Sequence, residues 1–429
     1  MKKETKKNEG INRREFLKYA GATGAALTFS GAPDIARSAP KEIIFATVNS
    51  FTGLATAYHT AVQVGQDLAL EDLKKRGGIR SLGGAILKEV KYDTESNVEV
   101  AANATERACN SGAVAILGST QSSVCMRLTS VAEKYKVPVI VPESLSDEIT
   151  GRGYKYVFRP QAAASKLSDN ILEGVAWLKD KKTGKKVKTL VHLHEETGYG
   201  RSMDSGFKAN ASKFGVEIVG SLPFPLKTTD FSNYVAKIKS INPDFILNTG
   251  YPPDQIMFIR ALKEANYMPM GVHVGASAEI KEWQAGIGKD GEYIFGYGYM
   301  PSTAPAMPQQ LKKEYEELDK RANKLAKKDL AGLWVLGYCC QSVLIDALER
   351  AGSVERKAIR DALSKTDIKP YEKGNYYAWG IKFDEGGQNI LSRMYTGQMQ
   401  KGNFLIVQPD TPDLKETDVV FPTPQWGKR

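Results

Sequence analysis

Residues 113–160 read AVAILGSTQSSVCMRLTSVAEKYKVPVIVPESLSDEITGRGYKYVFRP. An apolar run over 113–117 stops at Gly118 and gives way to a hydroxyl-rich turn of Ser119, Thr120, Gln121, Ser122 and Ser123. A helical pattern over 124–135 follows, with Leu128, Val131 and Ala132 apolar at three- and four-residue steps. A second apolar run, 137–141, then ends in a loop bearing Ser144 and Ser146. Short runs of β-branched and small residues that do not alternate read as parallel strands buried on both faces. The unit is βαβ, and both polar loops fall at the carboxyl ends of its strands. In open parallel sheets ligands bind at that edge, because helix N-termini and unpaired N–H groups converge there.

The same alternation extends outward. Upstream, a strand over 43–48 ends in Asn49, Ser50, Phe51, Thr52 and Gly53, followed by a helix over 58–75, a strand over 86–92 and a helix over 98–111. Past Pro160 a second series runs: helix 167–179, strand 187–193, loop 194–200, helix 203–214, strand 216–221, helix 231–240, strand 244–248, helix 254–265, and strands 270–274 and 293–297. Helices over 309–328, 330–350 and 353–363 come next, then Gly- and aromatic-rich elements and a hairpin of 392–400 with 404–408 around Gly402. Strand and helix in alternation are the mark of an α/β fold, and two series imply two lobes with central parallel sheets. The tail after Pro409 is expected to run over the surface.

With 429 residues the chain is too long for one ordinary core. Its first 40 residues form a separate segment, basic, then moderately apolar over 19–30, then rich in small residues, which is the order of an export signal. Arg13 and Arg14, followed by Phe16 and Leu17, match the twin-arginine motif, with Asn12 where a serine is usual. That route delivers an already folded chain, here to the periplasm. Eight of the 59 Lys and Arg and four of the 49 Asp and Glu lie in residues 1–38, which leaves 51 against 45, a net charge of +6 rather than +10. So small an excess is ordinary solubility, and nucleic acid is not an expected partner. Cys109 and Cys125 flank a strand and could pair or stay as buried thiols; Cys339 and Cys340 are adjacent and cannot easily pair.

The motifs of common enzymes are absent: no GxSxG, no phosphate loop ending in Lys-Ser or Lys-Thr, no HExxH. His192 and His194, beside Glu195 and Glu196, are the one place where a metal can be imagined, but a third ligand would have to come from afar. The favoured reading is a polar strand end, with no metal and no cofactor expected. His59 and His273 fall on expected cleft-side loops. Those loops carry hydroxyls and tyrosines, Ser122, Ser123, Ser144, Ser146, Tyr199 and Tyr251, which suit holding a small polar ligand without transforming it.

GST at 118–120, GYKYVFR at 153–159, TGYG at 197–200, PDFILNTGY at 243–251 and KFDEGGQN at 382–389 together resemble the periplasmic solute-binding proteins of branched-chain amino acid importers. The resemblance covers nearly all of 41–408. It implies two Rossmann-like lobes joined by a three-crossover hinge, the type I periplasmic binding protein fold, and delivery of a small solute by a monomer to a membrane ABC permease. A sensing component of a signalling system, or an enzyme of the same fold, are the alternatives. The lobes are then expected at 41–160 with 300–381 and at 161–299 with 382–408, leaving 409–429 as a tail.

Matched residue by residue, the family's carboxylate-holding serine falls on Ser122, with Ser123 beside it, and the next loop contributes Glu143, Ser144 and Ser146. The two cleft tyrosines fall on Tyr199 and Tyr251. Phe51 and Thr52 form part of the opposite rim, and His273 is available to line the wall. Two positions depart from the amino acid binders: a gripping threonine is Leu145, and the acid that pairs with the ligand ammonium is Gly275. A buried ammonium without a partner costs several kcal/mol. Either Glu143 or Asp254 replaces that acid, or the ligand is a carboxylate, amide or urea-like compound.

Overall fold

The first sheet grows from β1 (Glu42–Asn49), whose last five residues are all buried. In the computed structural model, residues 42–299, 307–407 and 418–429 are described; the export segment with Arg13, Arg14, Phe16 and Leu17 lies outside them. β1 pairs in parallel with β2 (Ile86–Asp93) on one side and β3 (Ile116–Leu117) on the other. Beyond β3 lie β4 (Val139–Ile140) and β5 (Val157–Phe158), which completes the order β2-β1-β3-β4-β5. The regular ladder of β3 and β4 is shorter than the apolar runs that encode them. Flanking bonds such as Val114 N–H to Ile44 O and Val141 N–H to Phe158 O carry the pairing outward. β5 was not expected as a strand; only two residues of it pair regularly.

Between these strands run α1 (Thr56–Lys75), α2 (Val98–Asn110), α3 (Ser122–Lys134) and the short α4 (Glu148–Gly151). Ala104, Ala108, Cys125, Leu128 and Ala132 from α2 and α3 pack on Ala46, Val48, Ile116 and Val139 of the sheet. Apolar side chains at helical spacing and β-branched residues in the strands thus make one core, each large side chain contributing about 1.5–3 kcal/mol on burial.

The second lobe contains α5 (Ala164–Trp177), β6 (Thr189–Glu195), α6 (Gly198–Asn210), β7 (Glu217–Phe224), α7 (Ser232–Ile241), β8 (Phe245–Thr249), α8 (Pro252–Glu264), β9 (Gly271–His273), α9 (Lys281–Ile287) and β10 (Phe295–Gly298). Strands β7, β6, β8, β9 and β10 are parallel in that order. The chain next forms α10 (Gln309–Ala326), α11 (Trp334–Ala351) and α12 (Arg356–Ser364), and β11 (Asp367–Ile368) pairs with β12 (Ile381–Lys382). α11 lies directly on α1 through two glycines: a Cβ at Gly65 would stand 1.8 Å from Trp334 O, and one at Gly337 1.7 Å from Val62 O. The late helices therefore return to the first lobe. β13 (Tyr395–Gln400) and β14 (Asn403–Ile406) then join the second sheet antiparallel, beside β10.

Two of the passages between sheets are laced together. Asn389 N–H donates to Arg159 O, Arg159 N–H donates to Gly387 O, and Asn389 Nδ2 donates to Pro160 O at 2.8 Å. The tail does more than run over a surface: Phe421 meets Phe295 edge-on, Thr423 N–H donates to Met270 O, and Trp426 Nε1 to Tyr267 O. Cys109, Cys125, Cys339 and Cys340 are buried free thiols, so the pairing left open for the first two is not made. Among the described residues no helix is long and apolar enough to cross a membrane.

Candidate functional site

Three helices point their N-termini at the space between the lobes, and their capping differs. α6 starts five residues before the expected helix, because the Glu195 carboxylate accepts the N–H groups of Thr197 (2.5 Å) and Gly200 (2.7 Å). Tyr199 therefore sits in a helix's first turn rather than in a loop. α8 starts at Pro252 with Asp254 reaching back to the Tyr251 N–H at 3.5 Å. α3 has no side-chain cap. Glu195 and Asp254 thus offset the positive ends of α6 and α8, and among the described residues α3 has no such cap.

Tyr58, Thr120, Ser122, Glu143 and Leu145 of the first lobe face Tyr199, Gly250, Tyr251 and Tyr297 of the second around a cavity of about 30 Å³. Ser122 Oγ accepts the N–H groups of Leu145 (3.1 Å) and Ser146 (3.2 Å), so its own hydrogen is left to donate. The Thr120 hydroxyl donates to Asn49 Oδ1 at 3.0 Å. Tyr199 and Tyr297 share a hydrogen bond of 3.3 Å, and Tyr58 shares one of 3.2 Å with Ser277 across the lobes. Burial raises the phenols of Tyr58, Tyr199, Tyr251 and Tyr297, which keeps them as neutral hydroxyls. Burial also pushes the Glu143 carboxyl up to about 8, so it is protonated at neutral pH and able to donate. None of the residues around the cavity is basic.

The structure brings together four of the residues expected at the site, Ser122, Glu143, Tyr199 and Tyr251. The others lie around them. Ser144 Oγ donates to Ser119 O (2.7 Å), and Ser146 meets Ser202 of the opposite lobe (3.2 Å). Ser123 faces a separate groove. Thr52 Oγ1 donates to Asp93 Oδ2 at 2.7 Å, and Phe51 packs edge-on against His59, which is on α1 rather than on a loop. His273 ends β9, buried behind the cavity, its Nδ1 accepting the Gly275 N–H at 3.1 Å. Asp254 is buried and engaged in capping. Tyr58, Thr120, Tyr297 and Gly250 were missed. The available signal was tyrosine in place of phenylalanine at a helix start and a strand end.

Residues 42–403 match the family model described as periplasmic binding protein. The chain belongs to the periplasmic binding protein family. Residues 10–30 match the twin-arginine translocation pathway signal sequence, and the binding protein is exported to the periplasm. It is 25% identical to Leu/Ile/Val-binding protein homolog 7 of Brucella abortus (strain 2308) over 398 residues, 91% of this chain and 96% of that one. Among solved structures it resembles a leucine-binding protein of Thermotoga maritima, with a TM-score of 0.73 and 25% identity over 86% of this chain and 99% of that one. It also resembles a solute-binding protein of an ABC transporter from R. palustris solved with benzoate, with a TM-score of 0.71 and 20% identity over 86% and 97% of the two chains. The chain is an exported solute-binding protein.

The lobes of this binding protein also meet at its rim. Lys281 Nζ lies 3.2 Å from Asp329 Oδ2, and Lys328 pairs with Glu282, so two adjacent residues of α9 meet two of the α10–α11 turn with charges exchanged. On another side, a groove of about 910 Å³ is lined by Ser123, Met126 and Glu148 of the first lobe and His194, Asp204, Lys208 and Ser221 of the second. His192 lies beneath it, its pKa lowered to about 4 chiefly by burial.

Proposed function

We propose that this protein captures a small solute with a carboxylate or amide head and an uncharged body, in the cavity between its lobes, and hands it to a membrane ABC permease. The proposed lobes are 41–160 with 300–381 and 161–299 with 382–408, a division supported by the sheet order and by the packing of α11 on α1. The observation that carries the ligand class is the uncapped N-terminus of α3 beside a Ser122 hydroxyl free to donate, when the helices of the opposite lobe are capped by their own acids. A carboxylate or carbonyl oxygen at α3 would accept from Ser122 and the helix N–H groups, and the protonated Glu143 adds a further donor. Tyr199, Tyr251, Tyr297 and Tyr58 would surround the body of the ligand. Neighbours with this fold are named for leucine in one case and solved with benzoate in another, two carboxylates of which only the first carries an ammonium, which supports a carboxylate head.

A second reading has its own support: Glu143 Oε2 has no hydrogen-bond partner among the described residues, and on losing its proton it could pair with a ligand ammonium. Calorimetry on matched pairs separates the two, phenylpropanoate against phenylalanine and a branched aliphatic acid against leucine. The des-amino acid is expected to bind at least about tenfold tighter, or about 1.4 kcal/mol. Glu143→Gln keeps a donor and should retain that binding. Micromolar binding of the amino acid, lost in Glu143→Gln, would overturn the first reading in favour of the second.

A further inference from the structure

The polar end of β6 is more than a solvated strand terminus. Alternation puts His192 and His194 on one face, their rings stacked 4.7 Å apart at 21°. The third group comes from α6: Asp204 Oδ1 stands 3.0 Å from His192 Nδ1 and 3.9 Å from His194 Nε2. One donor atom from each residue lies within 4.8 Å of the others. Donors of a tetrahedral zinc set are about 3.3 Å apart, as bonds of about 2.0–2.1 Å require. Small side-chain movements would close these three onto one ion.

The surrounding hydrogen bonds already orient the rings. His194 Nδ1 faces Glu195 O at 2.8 Å, an acceptor only, so that nitrogen carries the hydrogen and Nε2 keeps its lone pair, 3.4 Å from Ser221 Oγ and 3.9 Å from Asp204 Oδ1. His192 Nε2 lies 2.9 Å from Thr249 Oγ1, a group able to donate or accept. The ring can therefore turn Nδ1 from donor to ligand without losing that bond. An imidazole fixed by a second hydrogen bond is the usual support of a metal-binding histidine. His194 and Asp204 line the groove of about 910 Å³, which leaves a side of the cluster open. Lys208 Nζ, 2.6 Å from Asp204 Oδ2, holds the place of a cation there, and its side chain is 53% exposed and free to withdraw.

We infer that His192, His194 and Asp204 form a binding site for a divalent transition ion of the zinc type, with an open coordination position facing the groove between the lobes. Two imidazoles with one carboxylate favour zinc, cobalt or nickel over the oxygen-seeking magnesium and calcium. The inference is independent of which solute the central cavity takes.

The test is calorimetric titration of Zn²⁺ into the chelator-treated mature protein, with Mg²⁺ as control and melting temperature as a second readout. One Zn²⁺ should bind per chain and raise the melting temperature, as any ligand of the native state does, while Mg²⁺ does neither. His194→Gln should weaken zinc by at least about tenfold. Lys208→Met removes the competing ammonium and should tighten zinc several-fold, a gain that misfolding cannot imitate. Zinc affinity unchanged in both variants, or no zinc binding by the parent protein at millimolar concentration, would overturn the assignment.

Discussion

The Tyr299 hydroxyl donates to Glu143 Oε1 across 3.2 Å, while the second oxygen of that carboxyl has no partner among the described residues. Burial raises the group from 4.5 to about 8. Between those values the folded chain keeps a proton that the unfolded chain has released. Stability should therefore fall as pH rises from about 4.5 to about 8 and level off above, by on the order of a few kcal/mol in all. Glu143→Gln should flatten the slope and leave the variant more stable than the parent at pH 8. Urea denaturation at intervals across this range checks it; parallel curves for the two proteins would contradict it.

By the resemblance, Gly275 falls where amino acid binders are expected to carry an acid. A Cβ there would lie 3.7 Å from both Gln255 Nε2 and Tyr199 Oη, so a short carboxylate would find donors at once. Its φ of +61° is strained for most side chains but least so for aspartate and asparagine. Gly275→Asp should cost about 1 kcal/mol of stability and shift selectivity toward α-amino acids. Thermal melting and competition between leucine and its des-amino acid measure the two effects. Unchanged selectivity would mean that position 275 does not face the ligand.

The exchanged charges at the rim should govern how long the lobes stay shut. Lys328→Glu with Asp329→Lys places like charges opposite Glu282 and Lys281. Exposed pairs contribute about 0.2–1 kcal/mol each, so solute release should quicken about twofold to tenfold at low salt. The difference should shrink in concentrated salt. Adding Lys281→Glu and Glu282→Lys should restore the slow rate in stopped-flow measurements; failure of this rescue would remove the pairs from closure.

Arg159 is fully buried and donates to Ser144 O (3.0 Å), Ser146 O (2.7 Å), Thr150 Oγ1 (3.0 Å) and Gln388 Oε1 (2.7 Å). It ties the loop after β4 to the crossover at Gln388. Arg159→Met leaves these acceptors unpaired and should destabilise by on the order of 3 kcal/mol or more. Arg159→Lys, with one ammonium in place of a planar fork, should recover only part of that loss in denaturant titrations.

The alternation of strands and helices was legible because buried parallel strands need unbroken apolar runs, as at 113–117 and 137–141. Helix starts were less so. Gly198 and Gly200 argue against helix locally, yet Glu195 caps them, and a Cβ at Gly200 would strike Glu195 O at 1.8 Å. At the site, Ser122 and two tyrosines of the second lobe, Tyr199 and Tyr251, followed from the resemblance. Tyr58 did not, because a tyrosine opening an amphipathic helix reads as core until the opposite lobe is in place. The third partner of the His192–His194 pair was invisible for a similar reason: Asp204 arrives only when α6 folds back on β6.

The four cysteines have a consequence for the compartment in which the protein works. The twin-arginine route moves a folded chain, and the thiols are sealed in the core with their pKa values raised by burial, Cys109 to about 11 and Cys339 to about 12. Thiolate is the species that exchanges with disulfides or meets oxidants, and little of it forms. The protein thus enters an oxidising space as a protein of the reducing one, its fold set before export and indifferent to the redox poise on either side.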